Sequence, residues 1–298
     1  MYELESIKDQ RILYSYLNWG KGHLSRSIGV IRVLIQQGNT VIVAGESQDK
    51  SIIQSYFPSI EFIDFPGYPF QFSGKGNFTA DLWKTRTELQ KFILKEMEEV
   101  EKITVQHQPS LVISDHRYGF RSSIIPSIFI THQVQLALKW WQKPAQFIHR
   151  RYMSSFNHIW IMDDKKSSIA GKLSQNTLKN ASFIGHFSRL EETNFPKDII
   201  LGVVNGPAPY NQQLLEKLVQ NPTIDVIISP ITHTDSRVIQ AANWQEVDNY
   251  FHRAKKIYGY AGYSTIMDIV ILKTQGALIP TPGQTEQVYL AKLHPRLS

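Results

Sequence analysis

Short apolar runs rich in Val, Ile, Leu and Tyr recur along the chain, and between them apolar residues return at helical spacing. The runs RILYSYL, TVIVAG, EFIDF, LVISD, SIFITH and HIWIM read as strands. Between them the spacing predicts helices over Ser25–Gln37, Asp49–Tyr56 and Ala80–Val105 and a helical stretch after Pro144. A polar connection containing Pro196 follows, and the pattern restarts. IILGVVNG, DVIISP, KIYGY and GALIPTP read as strands, with helices over Asn211–Val219 and Thr265–Leu272 and a last one from Thr285. Strand–helix–strand order of this kind predicts parallel sheets covered by helices on both faces. The expected fold is α/β, with two Rossmann-like domains facing a cleft, residues 1–190 and residues 191–298.

Composition narrows the class. The chain has 298 residues, more than one ordinary core accommodates, so two domains are the size expectation. Hydrophobic residues make up 42% and charged residues 19%, which excludes a disordered chain. The absence of cysteine removes disulfides, thiolate nucleophiles and Cys-ligated zinc. Met1–Gln10 lacks the apolar core of a signal peptide, and no apolar run reaches membrane-spanning length, so a cytoplasmic location is expected. A formal charge of +6 favours anionic company without naming it. The basic residues are scattered and form no nucleic-acid module.

The chemistry concentrates where strands run into helices. In NWGKGHLSRS, Gly20 and Gly22 permit a tight turn that exposes amide N–H groups at a positive helix end. His23 at that helix start is placed to take a proton from a hydroxyl, or else bonds the backbone as a turn histidine. Arg26 is a candidate for holding phosphate or carboxylate, against a solvated or salt-bridged arginine. The same turn nearly matches a dinucleotide fingerprint with Glu46 in the place of the ribose acid, so NAD binding is a rival. Asp115 ends a strand and is a second base candidate, with His116 and His132 nearby in strand order; capping and core bonding are their structural alternatives.

In the second half, Gly262, Tyr263, Ser264 and Thr265 supply a turn and a hydroxyl cap suited to a diphosphate. Asp268 lies one turn further on, in reach of ribose hydroxyls. Gly283 leads to Glu286 and Gln287, which can bond sugar hydroxyls. Asn205 and Gly206 follow the first strand of this half and would help to hold the leaving diphosphate. The Asp163–Asp164 and His233–Asp235 pairs lack convincing metal spacing and read as loops; no metal or cofactor is expected.

Together, GKGHLSRS resembles the first glycine-rich loop, with its histidine, and GYSTIMDI…LIPTPGQTEQ the donor loop of GT-B glycosyltransferases of the family 28 type, related to the peptidoglycan N-acetylglucosaminyltransferase. LNWGKGHLSRS, FPGY, VISDHRYGF, PSIFITHQV and GHFSRL are similar to an uncharacterised bacterial branch of predicted glycosyltransferases. The resemblance implies a metal-independent, inverting transfer of a hexose-type sugar, an N-acetylhexosamine, from a UDP-sugar to a hydroxyl acceptor in cell-envelope polysaccharide synthesis. It implies His23 as the acceptor-side base, Asp268 as ribose ligand, and Glu286 with Gln287 as contacts to the donor sugar. A nucleotide-sugar hydrolase of the same fold and a non-catalytic nucleotide-sugar binder stay open. The chain ends at LAKLHPRLS, short of the C-terminal helices with which GT-B proteins usually continue, so a truncated gene product is expected. Leu136–Met153 mixes Trp140, Trp141 and Phe147 with Lys139, Lys143, Arg150 and Arg151. An ordinary helix pair and a peripheral contact at the inner face of the membrane, suited to a lipid-linked acceptor, both stay open.

Overall fold

A computed structural model describes residues 2–69, 85–138, 143–240 and 244–297. These divide into two compact units, one of residues 2–18, 27–69 and 85–187, the other of residues 19–26 and 188–297.

The first unit is built on a parallel sheet of strands β1 (Arg11–Tyr16), β2 (Thr40–Gly45), β3 (Glu61–Asp64), β4 (Leu111–Asp115), β5 (Ser127–Thr131), β6 (His158–Ile161) and β7 (Ala181–Phe183). They lie in the order β3-β2-β1-β4-β5-β6-β7. The order reverses between β1 and β4, where Tyr16 pairs with Asp115 in register. Every residue of β4, β5 and β6 is buried, as expected of strands covered on both faces. Helices α1 (Gly22–Gln36), α2 (Lys50–Tyr56), α3 (Arg86–His107) and α4 (Lys143–Met153) connect them. Val100 of α3 packs with Leu13, Ile42, Val112, Phe65 and Phe120 in one core cluster. That helix ends where Gln108 turns left-handed at φ 48°, just before Pro109.

The second unit repeats the plan with β8 (Ile199–Val203), β9 (Val226–Ser229), β10 (Val238–Gln240), β11 (Ala254–Tyr260) and β12 (Gln275–Ile279), all parallel, in the order β10-β9-β8-β11-β12. Its helices are α5 (Tyr210–Val219), α6 (Trp244–Arg253), α7 (Tyr263–Leu272) and α8 (Thr285–Leu293). The switch in strand order falls between β8 and β11, so the loops after these strands flank the crevice where such sheets take ligands.

The α/β expectation holds, with differences of detail. Helices α1 and α7 begin two or three residues earlier than the sequence predicts, because glycine at a helix entry costs little and the capping hydroxyls are used elsewhere. Strands β7 and β10 and helix α6 are additions. The strands are only three residues long and carry no alternation to read. In α6, Val247 and Phe251 sit one turn apart and are both buried, a spacing visible in WQEVDNYFHR. Residues 80–84 of the expected third helix lie outside the described residues. No described helix is long and apolar enough to cross a membrane.

Candidate functional site

In the second unit, Gly262 is the N-cap of α7, at φ −71° and ψ 146°, and no side chain caps the helix. The hydroxyls expected to do so are committed elsewhere. Ser264 Oγ donates to Gly22 O at 2.9 Å, and Thr265 Oγ1 accepts from Asn205 Nδ2 at 2.8 Å. Helix α7 therefore starts without a side-chain cap, and the partial positive charge of its first turn suits an anion. Beside them lies the Gln287 amide, in a side chain only 7% exposed. Its Oε1 accepts from both Thr281 N and Thr281 Oγ1, each at 2.9 Å. This fixes the amide with Nε2 turned toward Gly262, 3.9 Å from where a Cβ on that glycine would stand. Glu286 is half-buried in the first turn of α8, and Gly283 takes a positive φ of 79° in the exposed loop before it.

Asn205 does something the sequence reading did not assign. Its Nδ2 donates to Tyr260 O at 3.0 Å and to Thr265, and its Oδ1 accepts from Tyr260 N at 2.8 Å. One amide thus ties the end of β8 to the end of β11 and the first turn of α7. Its side-chain donors serve the protein rather than a diphosphate. Gly206 follows at φ 86°, and a Cβ there would come within 3.2 Å of the Tyr260 ring. Tyr263 is buried.

Asp268 is also placed differently from its expected ribose contact. It is 7% exposed and accepts from Ser188 Oγ at 2.5 Å, and burial pushes its pKa up to about 6. Neighbouring it is Arg189, bonded through Nε to Asp248 at 2.7 Å and through Nη1 to Ser25 Oγ at 2.8 Å. The guanidinium lies over the rings of Trp244 and Phe251. These contacts carry residues 19–26 with the second unit, and the Gly22–Ser264 bond brings the starts of α1 and α7 together. A Cβ on Gly22 would stand 3.0 Å from Ser264 Oγ and press on that hydroxyl; Gly20 is at φ 83°. Arg26, expected to hold an anion, is 1% exposed, and its Nη2 is 2.8 Å from His23 Nδ1.

In the first unit, Asp115 is fully buried at the end of β4; its carbonyl accepts from Leu17 N at 2.9 Å, and Ser27 Oγ lies 3.4 Å from its Oδ2. The next residue, His116, has φ 65°, a left-handed conformation uncommon for a bulky side chain at a strand end. Its ring centroid is 6.0 Å from that of His132, which is 4% exposed, and 6.2 Å from that of His149. His149 was not singled out by the sequence, since a lone helical histidine carries no signal. Its Nε2 donates to Gln133 O and its Nδ1 accepts from Tyr118 Oη, both at 2.6 Å, and burial lowers its pKa to about 4. It is a neutral linchpin between β5 and the loop after β4. On the same helix Phe147 and Ile148 are exposed, so Phe147 does not enter the core. Trp140 and Trp141 lie outside the described residues.

Asp163 and Asp164 gain a neighbour the sequence did not pair with them, because His186 closes to 3.0 Å from Asp163. The Asp163 carboxylate also accepts from the amides of Asp164, Ile169 and Ala170 and from Ser174 Oγ. Its lone pairs are filled by loop donors, which holds its pKa below the usual carboxylate range and makes it a loop anchor. Asp235 pairs with Arg237.

No protein-family profile and no curated protein matches the chain. Solved structures do. The spinosyn rhamnosyltransferase SpnG matches with a TM-score of 0.63 at 13% identity, over 95% of this chain and 84% of that one. The glycotransferase of kitacinnamycin matches at 0.61 and 11%, over 96% and 85%. UGT89C1 of Arabidopsis thaliana, complexed with quercetin, matches at 0.59 and 11%, over 95% and 82%.

The fold is GT-B. At such identities the likeness carries the GT-B fold and not the roles of particular residues. What the side chains of this GT-B chain do rests on the contacts described above.

Proposed function

We propose that the chain is a glycosyltransferase that takes its sugar from a nucleoside diphosphate. The observation that carries this reading is the uncapped start of α7 with the Gln287 amide fixed beside it. Main-chain amides suit a diphosphate, and an immobilised carboxamide donor suits a sugar hydroxyl. The structural neighbour SpnG has been solved with thymidine diphosphate and with the spinosyn aglycone, which supports a donor and an acceptor of these general kinds. Within this reading the family 28-type resemblance selects a UDP-N-acetylhexosamine as the first donor to test and a hydroxyl acceptor, with inversion at the anomeric carbon. The leaving diphosphate is stabilised by the α7 amides, and Glu286 joins Gln287 on the sugar. Asp115, at the carboxyl end of β4, receives the acceptor proton; such contacts commonly tighten only once substrate is bound.

A thermal-shift series with UDP, dTDP, GDP, CMP and NAD tests the reading. A nucleotide at 100 times its dissociation constant should add about 2.7 kcal/mol of stability. Stabilisation by UDP is expected, and stabilisation by NAD alone would sink the proposal. Sugar release without acceptor separates the classes, being fast for a hydrolase and slow for a transferase.

Two variants probe the roles. Gln287→Ala should weaken a UDP-sugar about tenfold, the worth of one hydrogen bond, and UDP itself much less, as read by titration calorimetry. Asp115→Asn should slow transfer about 100-fold with UDP affinity unchanged, as read from initial rates beside the same calorimetry.

A further inference from the structure

We infer that His23 gives a hydrogen bond to its ligand and does not take a proton from it. The inference rests on the glycosyl-transfer reading for its ligand and on geometry for its direction. A guanidinium has only donors. His23 Nδ1, 2.8 Å from Arg26 Nη2, is therefore the ring nitrogen without hydrogen, and the ring proton sits on Nε2. Arg26 is 1% exposed, so it holds the ring from inside the start of α1.

A histidine base is ordinarily backed by a carboxylate or carbonyl that accepts from the second nitrogen and leaves the working nitrogen bare. Here a cation stands where that acceptor would be, and the pattern is inverted. For Nε2 to act as a base, a proton would have to appear on Nδ1, setting two donors face to face and depriving a buried guanidinium of an acceptor. With its hydrogen on Nε2, the ring is suited to an oxygen that carries or gains negative charge. Two oxygens of that chemistry exist in the reaction, one on the phosphate of the sugar nucleotide and one on the acceptor.

The test compares His23→Ala with His23→Gln in the full chain, because glutamine Nε2 is as many bonds from Cα as histidine Nε2 and also donates. His23→Ala should lose about 30-fold in turnover, as expected for a hydrogen bond to a charged oxygen. His23→Gln should recover all but about fivefold of it and keep the shape of the pH–rate profile. Calorimetry with UDP separates the two oxygens: weaker binding in His23→Ala assigns the phosphate, and unchanged binding with a raised acceptor KM assigns the acceptor.

Nitrogen NMR of the free protein should show the His23 proton on Nε2. A proton on Nδ1, or a His23→Gln enzyme as slow as His23→Ala, would overturn the inference. If no nucleotide sugar were consumed, the transfer reading would fall, while the NMR spectrum would still decide where the proton sits.

Discussion

Replacing Glu96 by alanine is expected to destabilise the first unit by roughly 3–5 kcal/mol, the usual cost of stranding one member of a buried ion pair. Glu96 Oε1 lies 2.6 Å from Arg117 Nε, and the two side chains are essentially unexposed. The other carboxylate oxygen accepts from Gly119 N at 3.0 Å. The Arg117 guanidinium lies over Phe65 and Tyr68 and donates to Pro66 O. Without Glu96 that cation would remain inside with a carbonyl and aromatic faces but no counter-charge. Denaturant unfolding followed by a first-unit probe measures the loss. The Glu96→Ala/Arg117→Met double variant should regain most of it, because a well-packed apolar pair in place of a buried ion pair is often neutral. No recovery would mean that the damage lies in lost packing. Arg117 is two residues from Asp115, so the pair also sets the loop on which the base candidate depends.

Asp268→Asn should raise stability near neutral pH by about 3 kcal/mol and leave it unchanged near pH 4. The carboxyl is pushed up to about 6, chiefly by burial, with Arg189 and the Ser188 hydroxyl pulling the other way and Asp248 adding to the rise. In the unfolded chain it titrates near its ordinary value of about 4. Between those values the native state holds the proton and the unfolded state has lost it. Stability from this group therefore falls as pH rises from about 4 to about 6, and then stays low. Asparagine keeps an acceptor for Ser188 and carries no charge, so the slope should vanish. Thermal melts of both proteins across this range give the answer; parallel curves would show that Asp268 is ionised throughout. The same variant should bind UDP normally, because its carboxylate is committed to Ser188.

The sheets were legible in the chain because fully buried parallel strands read as unbroken apolar runs, as in LVISD and SIFITH. The three-residue edge strands β7 and β10 were not legible, since so short a run leaves no period. Glycines marked the helix starts correctly in kind: Gly22 and Gly262 sit at the entries of α1 and α7. What spacing cannot say is which way a polar side chain turns. Asp268 and Arg26 stand at helical positions that suit a ligand, and both are spent inside the protein on partners far away in sequence or behind the turn. Gln287 stands in an equally plain context, yet Thr281 aims it at the helix start. Glu96 and Arg117 could not be paired from sequence, because a buried charge is recognised only by what surrounds it.

The clasp at Asn205 has a chemical weakness written into the chain. Its successor is Gly206, the neighbour that least obstructs ring closure of the main-chain nitrogen onto an asparagine side chain, the first step of deamidation. The aspartate so formed could not donate to Tyr260 O or Thr265 Oγ1, and its charge would face the carbonyl it formerly bonded. Deamidation in solution would thus loosen the junction of β8, β11 and α7, and the bonds now restraining that amide are also what slow its decay.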